Sequence, residues 1–330
     1  MRLRAILIFL VLAVVSSLAQ VDPSLLLPQN YPVPNWVKPG LVVVYQHEGG
    51  TQSGGGASAA SGKGFRIDIV TDIEKNTVYG IEFIVLVSPS TYQITFQPFK
   101  VMPLFVFIHP NAVQDLLKKS DMYAKQGIVV RGGRVSENSI WLGIAYNVSS
   151  QDFWISNEGL VQRVQVLVKQ REGSAVVMSQ NVKHFYIEWP NIKEFPPVAR
   201  ESHTYNIYTS MYGFTNLAGS SSYRLSNVQG RVARYSILQS TSGMSTPTES
   251  MGVPSFGPFY IHPSLLKKDV ILQIPEIGLV WKNEQGMYGV DTVVYFKGQE
   301  CFRASFDERG LLMGVQHLYS GLIFSAELIQ

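Results

Sequence analysis

Two stretches of this chain, 153 residues apart, share one corner. FVFIHPNAVQDLLKK places His109-Pro110 ahead of Leu116-Leu117-Lys118-Lys119, and GPFYIHPSLLKK places His262-Pro263 ahead of Leu265-Leu266-Lys267-Lys268. The residue before a proline is pushed into extended backbone, which ends a strand, and proline itself suits the first turn of a helix. Ile-His-Pro therefore reads as a strand-to-helix corner, with the leucines inward and the lysines in solvent. Downstream, ISNEGLVQRVQ is echoed by FDERGLLMGVQ, so that Gly159 meets Gly310 and Gln165 meets Gln316. Both glycines are expected at positive φ in tight turns. Upstream, GLVVVYQHEGG has a looser echo in SHTYNIYTSMYG. Three segments in one order at near-constant spacing predict two homologous halves, 37–192 and 198–330. The connector 193–197 lies in the Pro-rich stretch WPNIKEFPPVARE, the composition of a boundary.

The local patterns are those of strands. FRIDIVTDI alternates Phe65, Ile67 and Ile69 against Arg66, Asp68 and Val70, the period of a half-buried strand. VQRVQVLVKQ, HFYIEW, YRLSNV, DTVVYFKG and LIFSAELI read the same way. Aromatics make up 12% of the chain and charged residues only 15%, a balance suited to packed sheet. The one extended helical pattern runs from Pro110 towards Gly127. The expected fold is mainly β: two repeated lobes of curved antiparallel sheet, each with a short helix after its Ile-His-Pro corner.

Residues 1–19 carry Arg2 and Arg4, an apolar run from Ala5 to Val15, and small residues at Ser17 and Ala19. That is the pattern of a secretory signal peptide, with a run too short to span a bilayer comfortably. An extended segment, 20–36, follows. The expected location is secreted or extracytoplasmic, in the periplasm or at the cell surface, with no transmembrane segment after cleavage. The full chain has 27 basic and 24 acidic residues, and loss of two arginines with the signal leaves it near neutral. A near-neutral surface lacks the electrostatic footprint of a nucleic-acid binder. Cys301 is the only cysteine, expected to be buried, so stability must come from the apolar core.

WVKPGLVVVY, FYIHPSLL and CFRASFDERGLLMGVQHLYSG resemble segments of uncharacterised secreted bacterial and archaeal β-rich proteins. Those have a Trp-x-x-Pro-Gly start, an aromatic-x-x-Pro-x-x-Leu corner and a Tyr/Phe-Asp-x-x-x-Gly-Leu-Leu hairpin near the end. The last element is similar, at fold level, to the curved sheets of lipoprotein carriers. The matching motifs are structural turns in proteins with no assigned activity, so the resemblance implies a fold and carries over no functional residue.

One stretch invites a nucleotide-binding reading. In GGGASAASGKGF, residues 54–65, the segment Ala57 to Gly64 approaches the phosphate-loop pattern. Ala57 replaces its first glycine, Gly64 replaces its hydroxyl residue, and strand-patterned sequence follows where a helix is needed. The stretch is expected instead to be a long connection between strands, with Tyr45 and Phe65 at its ends as a candidate ligand lip.

No catalytic or metal-binding pattern emerges. The six histidines lie in no metal-ligand spacing, there is no Gly-x-Ser-x-Gly elbow, and nothing selects a pair among Asp68, Asp72, Glu82, Glu188, Asp291 and Asp307. No cofactor is predicted. Secretion, aromatic content and low charge point to a non-catalytic binding or carrier protein for an apolar or amphipathic ligand such as a lipid. The alternatives are a structural or protein-interaction component of the cell envelope, and a hydrolase with a dispersed site.

Overall fold

The computed structural model describes residues 26–28, 30–53, 58–88, 91–96, 101–170, 173–211, 214–241, 244–319 and 322–329. The signal-like segment 1–19, part of the 20–36 segment and residues 54–57 lie outside the described residues. The chain is mainly β, in two large antiparallel sheets of similar size with a few short helices.

The first lobe holds β1 (Leu41–Ser53), β2 (Ser58–Glu74), β3 (Thr77–Ser88), β4 (Thr91–Phe96) and β5 (Met102–Pro103). Helices α1 (Pro110–Lys118) and α2 (Ser120–Ala124) come next, then β6 (Ile128–Ser136), β7 (Ser139–Tyr146), β8 (Ser149–Ser156), β9 (Val161–Gln170) and β10 (Gly173–Tyr186). The second lobe repeats the plan with β11 (His203–Met211), β12 (Phe214–Gln229), β13 (Val232–Thr241) and β14 (Met244–Gly252). A small hairpin of β15 (Phe256–Gly257) and β16 (Tyr260–Ile261) leads into α3 (Pro263–Leu266). The lobe ends with β17 (Val270–Ile274), β18 (Leu279–Gln285), β19 (Val290–Phe296), β20 (Gln299–Phe306), β21 (Leu312–Tyr319) and β22 (Leu322–Ile329).

Each sheet is a meander whose first and last strands pair at its centre. The orders are β4-β3-β2-β1-β10-β9-β8-β7-β6 and β14-β13-β12-β11-β22-β21-β20-β19-β18-β17. Tight turns such as Lys75-Asn76, with φ of 47° and 64°, match the right-handed twist of the strands they join. Curvature gives each lobe a concave face, and the helical corner packs into it. In lobe 1, Val113 and Leu116 of α1 join Ile140, Leu142, Phe153 and Val164. The expected continuous helix breaks in two at Lys119, and Gly127 then takes φ +76°. As expected, Leu116, Leu265 and Leu266 are buried, and Leu117 is half-buried.

The lobes nest. Successive residues of a strand point to opposite faces, and in β1–β3 both faces are buried. Leu41, Val43 and Tyr45 face the interior of lobe 1. Val42, Val44, Ile67, Ile69, Ile81, Phe83 and Val85 face outward into the core of lobe 2, beside Tyr235, Phe256, Trp281 and Phe302. Phe83 meets Trp281 edge-on at 5.4 Å between centroids. The concave face of lobe 2 is thus filled partly by its own aromatics and partly by the outside of lobe 1. The seam between duplicated halves, a natural place for a ligand on sequence grounds, is a packed core among the described residues.

Candidate binding site

The two predicted corners are built alike. His109 (φ −66°, ψ 128°) and His262 (φ −65°, ψ 134°) are the N-caps of α1 and α3. Their Nδ1 atoms accept from the amides of Asn111 at 3.1 Å and Ser264 at 3.2 Å. Each thereby satisfies one of the amides that a helix start leaves open. Pro110 and Pro263 occupy the first turn. Each corner docks on the glycine turn that shares its repeat. The Ile108 amide donates to Gly159 O at 2.9 Å, and Ile261 to Gly310 O at 3.0 Å. Gly159 and Gly310 take φ of 90° and 83°. A phenol completes each unit: Tyr45 Oη donates to Val161 O at 3.2 Å, and Tyr205 Oη to Leu312 O at 2.8 Å. These residues form scaffold and leave the chemistry to other groups.

Tyr45 and Phe65 do not make a common lip. The ladder pairs Tyr45 with Arg66 and Gln46 with Phe65, so the two rings project from opposite faces. Tyr45 is buried in lobe 1, and Phe65 packs against the core shared with lobe 2. The long connection also proves shorter than the sequence implies. β1 and β2 pair as far as Gln52 and Ser58, so residues 58–65 are strand. Their poor β-propensity is outweighed by pairing with β1 throughout and with β3 from Lys63 onward.

Above Tyr45 the concave wall of lobe 1 becomes polar. Arg66 donates to Asp68 from Nε at 3.0 Å and from Nη2 at 2.8 Å, and its Nε lies 2.7 Å from Glu82 Oε2. Its guanidinium sits 5.4 Å from the Tyr45 ring centroid. Asp68 is fully buried, whereas Arg66 and Glu82 keep 15% and 20% of their side chains exposed, so solvent reaches this belt. One rung further, His47 Nδ1 shares a hydrogen bond with Ser179 Oγ at 2.9 Å. Burial pushes the Asp68 carboxyl up, to about 6, against the pull of Arg66. Burial, reinforced by the Arg66 charge, holds His47 down at about 4, so its imidazole is neutral at physiological pH.

Ladder register sets what lies beyond the belt. Val164, Ser179, His47 and Gly64 form one row across the concave face, and Val166, Val177, Gly49 and Gly62 form the next. Three of those positions have no side chain. Gly49, with Gly62 and Gly64 of the phosphate-loop-like stretch, therefore places no side chain on the apolar wall next to Arg66 and Glu82.

A His–Ser pair invites a hydrolytic reading, but a nucleophile's base needs a third group to orient it. Among the described residues, no acid partners His47 Nε2. The sequence already named Asp68 and Glu82 without pairing them. It missed Arg66, His47 and Ser179, for which the only trace was Arg66 and Asp68 on one strand face.

No family model matches this sequence, and no curated protein matches it. Among solved structures, it is similar to a protein of unknown function from the DUF3598 family of Nostoc punctiforme, at 10% identity. That alignment covers 94% of this chain and 100% of the other, with a TM-score of 0.17. It is also similar to isotype 1 transferrin binding protein B from serogroup B Neisseria meningitidis, at 6% identity, covering 88% and 77% of the two chains with a TM-score of 0.14. No helix among the described residues is long and apolar enough to cross a membrane.

Proposed function

We propose that this is a secreted, non-catalytic binding protein that carries an amphipathic ligand in the concave face of lobe 1. Residues 37–192 and 198–330 are read as its two domains, joined by 193–197. The observation that carries the proposal is the glycine-lined apolar wall beside the Arg66–Asp68–Glu82 belt. An apolar body fits along Val166 and Val177, and a polar head meets the mostly buried Arg66 and Glu82 at the edges they leave exposed. Binding sites for small molecules are mostly apolar, with a few polar groups that fix orientation. Lobe 2 serves as the support, since its own concave face is filled.

Native mass spectrometry of the mature protein, purified from its own secretory compartment, tests this. The expected result is a discrete extra mass that vanishes on denaturation and is recovered by solvent extraction as an apolar or amphipathic compound. A ligand-free mass, with no uptake of a fluorescent fatty acid or alkylamine added afterwards, would overturn it.

A further inference from the structure

The outer face of lobe 1 carries a second arrangement, independent of the concave site. On β7–β9 the inward residues Ile140, Leu142, Ile144, Phe153 and Ile155 belong to the core. The alternate residues point outward, on the side away from α1. Ladder register aligns them in two rows: Trp141, Trp154 and Arg163, then Gly143, Asp152 and Gln165. Tryptophan on an uncovered sheet face exposes apolar surface that a partner can cover, so the geometry around these two side chains matters.

The Trp141 indole is fixed. It leans over Gly143, where an added Cβ would lie 2.9 Å from Cζ2 and 3.5 Å from Cε2 of the ring. Only glycine allows that approach. The Trp141 Nε1–H donates to Asp152 Oδ1 at 3.0 Å, which sets the ring's rotation. Trp141 is half-buried. One ring face meets the sheet, and no aromatic or cationic side chain covers the other among the described residues. Beside it, the Arg163 guanidinium stacks on Trp154 at 4.5 Å and donates from Nη2 to Gln165 Oε1 at 3.1 Å. The Arg163 Nε is buried with no hydrogen-bond partner, a state that ordinarily costs stability.

We propose that this face is a carbohydrate-binding platform, with a pyranose ring seated on Trp141. The axial C–H bonds of a pyranose present a weakly positive face to the electron-rich face of an indole. The hydroxyls around the ring then need donors and acceptors in the plane of the platform. Asp152 Oδ2 is an acceptor there, and Arg163 and Gln165 supply donors. A protein hot spot would surround its tryptophans with apolar neighbours at a desolvated centre; here the neighbours of the Trp141–Trp154 pair are glycine, a carboxylate, a guanidinium and an amide. A rigid, pinned ring also loses little entropy on binding.

The test uses the full mature protein on an array of neutral and acidic pyranosides, followed by calorimetry with the best-bound oligosaccharide. Wild type is expected to bind. Trp141→Ala should weaken binding by about tenfold or more, roughly 1.4 kcal/mol. Gly143→Ala, which keeps the tryptophan but displaces its ring, should do the same. Near-UV circular dichroism and the melting temperature check that both variants fold. Arg163→Ala keeps the platform and should weaken binding less. No binding to any pyranoside would overturn the proposal. So would binding that survives Trp141→Ala, or a Trp141-dependent protein partner with no glycan bound. Each of these outcomes leaves the concave site of lobe 1 untouched.

Discussion

Arg231, in the turn between β12 and β13, grips Asp72 of β2 with both arms of its guanidinium, Nε to Oδ1 at 2.7 Å and Nη2 to Oδ2 at 2.8 Å. The pair joins the two lobes. The same Arg231 side chain also donates to Ile192 O at 2.6 Å and Lys193 O at 3.2 Å, so it holds the inter-lobe connector as well. Asp72 is buried, and removing Arg231 leaves its charge unpaired, with only the Ile73 amide donating to Oδ1 at 2.8 Å. Arg231→Ala is therefore expected to cost about 3 kcal/mol. Lysine lacks the planar fork, so Arg231→Lys should recover less than half of that. Urea unfolding checks this, and recovery to wild-type stability in Arg231→Lys would refute the bidentate account.

Gly159 and Gly310 are not equally replaceable. Both sit at positive φ, a strain of about 1–3 kcal/mol for an L side chain. At Gly159 a new Cβ would meet the Phe107 ring at 2.3 Å, and at Gly310 the Ile261 carbonyl oxygen at 2.0 Å. The ring can turn aside, and the Ile108 carbonyl oxygen, at 2.9 Å from a Gly159 Cβ, stands further off than the Ile261 oxygen does at Gly310. Gly310→Ala should therefore be the more destabilising, and equal melting temperatures for the two variants would count against this.

His47 gives the fold a pH dependence of predictable sign. Its folded value, about 4, lies below its ordinary 6.5, so between those values the unfolded chain binds more protons. Stability from neutral His47 is present above about 6.5 and is lost as pH falls towards 4. Asp68, raised to about 6 from 3.8, acts in the opposite direction over the same window. Relative to wild type, His47→Gln should gain stability between pH 6.5 and 4, by about 3 kcal/mol at most. Chemical denaturation at several pH values measures it; a constant difference between the two proteins would exclude the assignment.

Cys301 is free and only 3% exposed, and burial raises its thiol above the ordinary value. The thiolate is the reactive form. A maleimide should leave the native protein unlabelled over a period in which the urea-unfolded chain is labelled completely. Labelling at equal rates would place Cys301 at the surface.

The parts of this fold that were legible in the sequence are local ones. His109-Pro110 and His262-Pro263 announce corners because proline restricts its own neighbourhood. Gly159 and Gly310 announce turns because few other residues tolerate their φ. That each corner rests on the glycine turn of its own repeat explains why the two motifs recur together. The belt was hidden for a different reason. Alternation in FRIDIVTDI identifies two faces of β2 but not what covers them. Arg66 and Asp68 read as a solvent face, whereas Ile67 and Ile69 are buried by lobe 2 and Asp68 by the interior of lobe 1. Residues 58–65 were hidden because glycine, serine and alanine carry little strand propensity; their pairing is imposed by the strands beside them, chiefly β1 across the hairpin.

The central seam of each sheet has a consequence for biosynthesis. β1 must wait for β10, and β11 for β22, the last strand of its lobe. Neither sheet can be finished while its own final strand is still in the ribosome. Between the two closures, the outward apolar row of lobe 1, from Val42 to Val85, has no cover. A nascent chain paused in that interval presents a sticky, half-assembled surface, the kind that chaperones recognise and that aggregates when they are scarce. The nesting that makes the finished molecule one solid body thus makes its production a matter of timing.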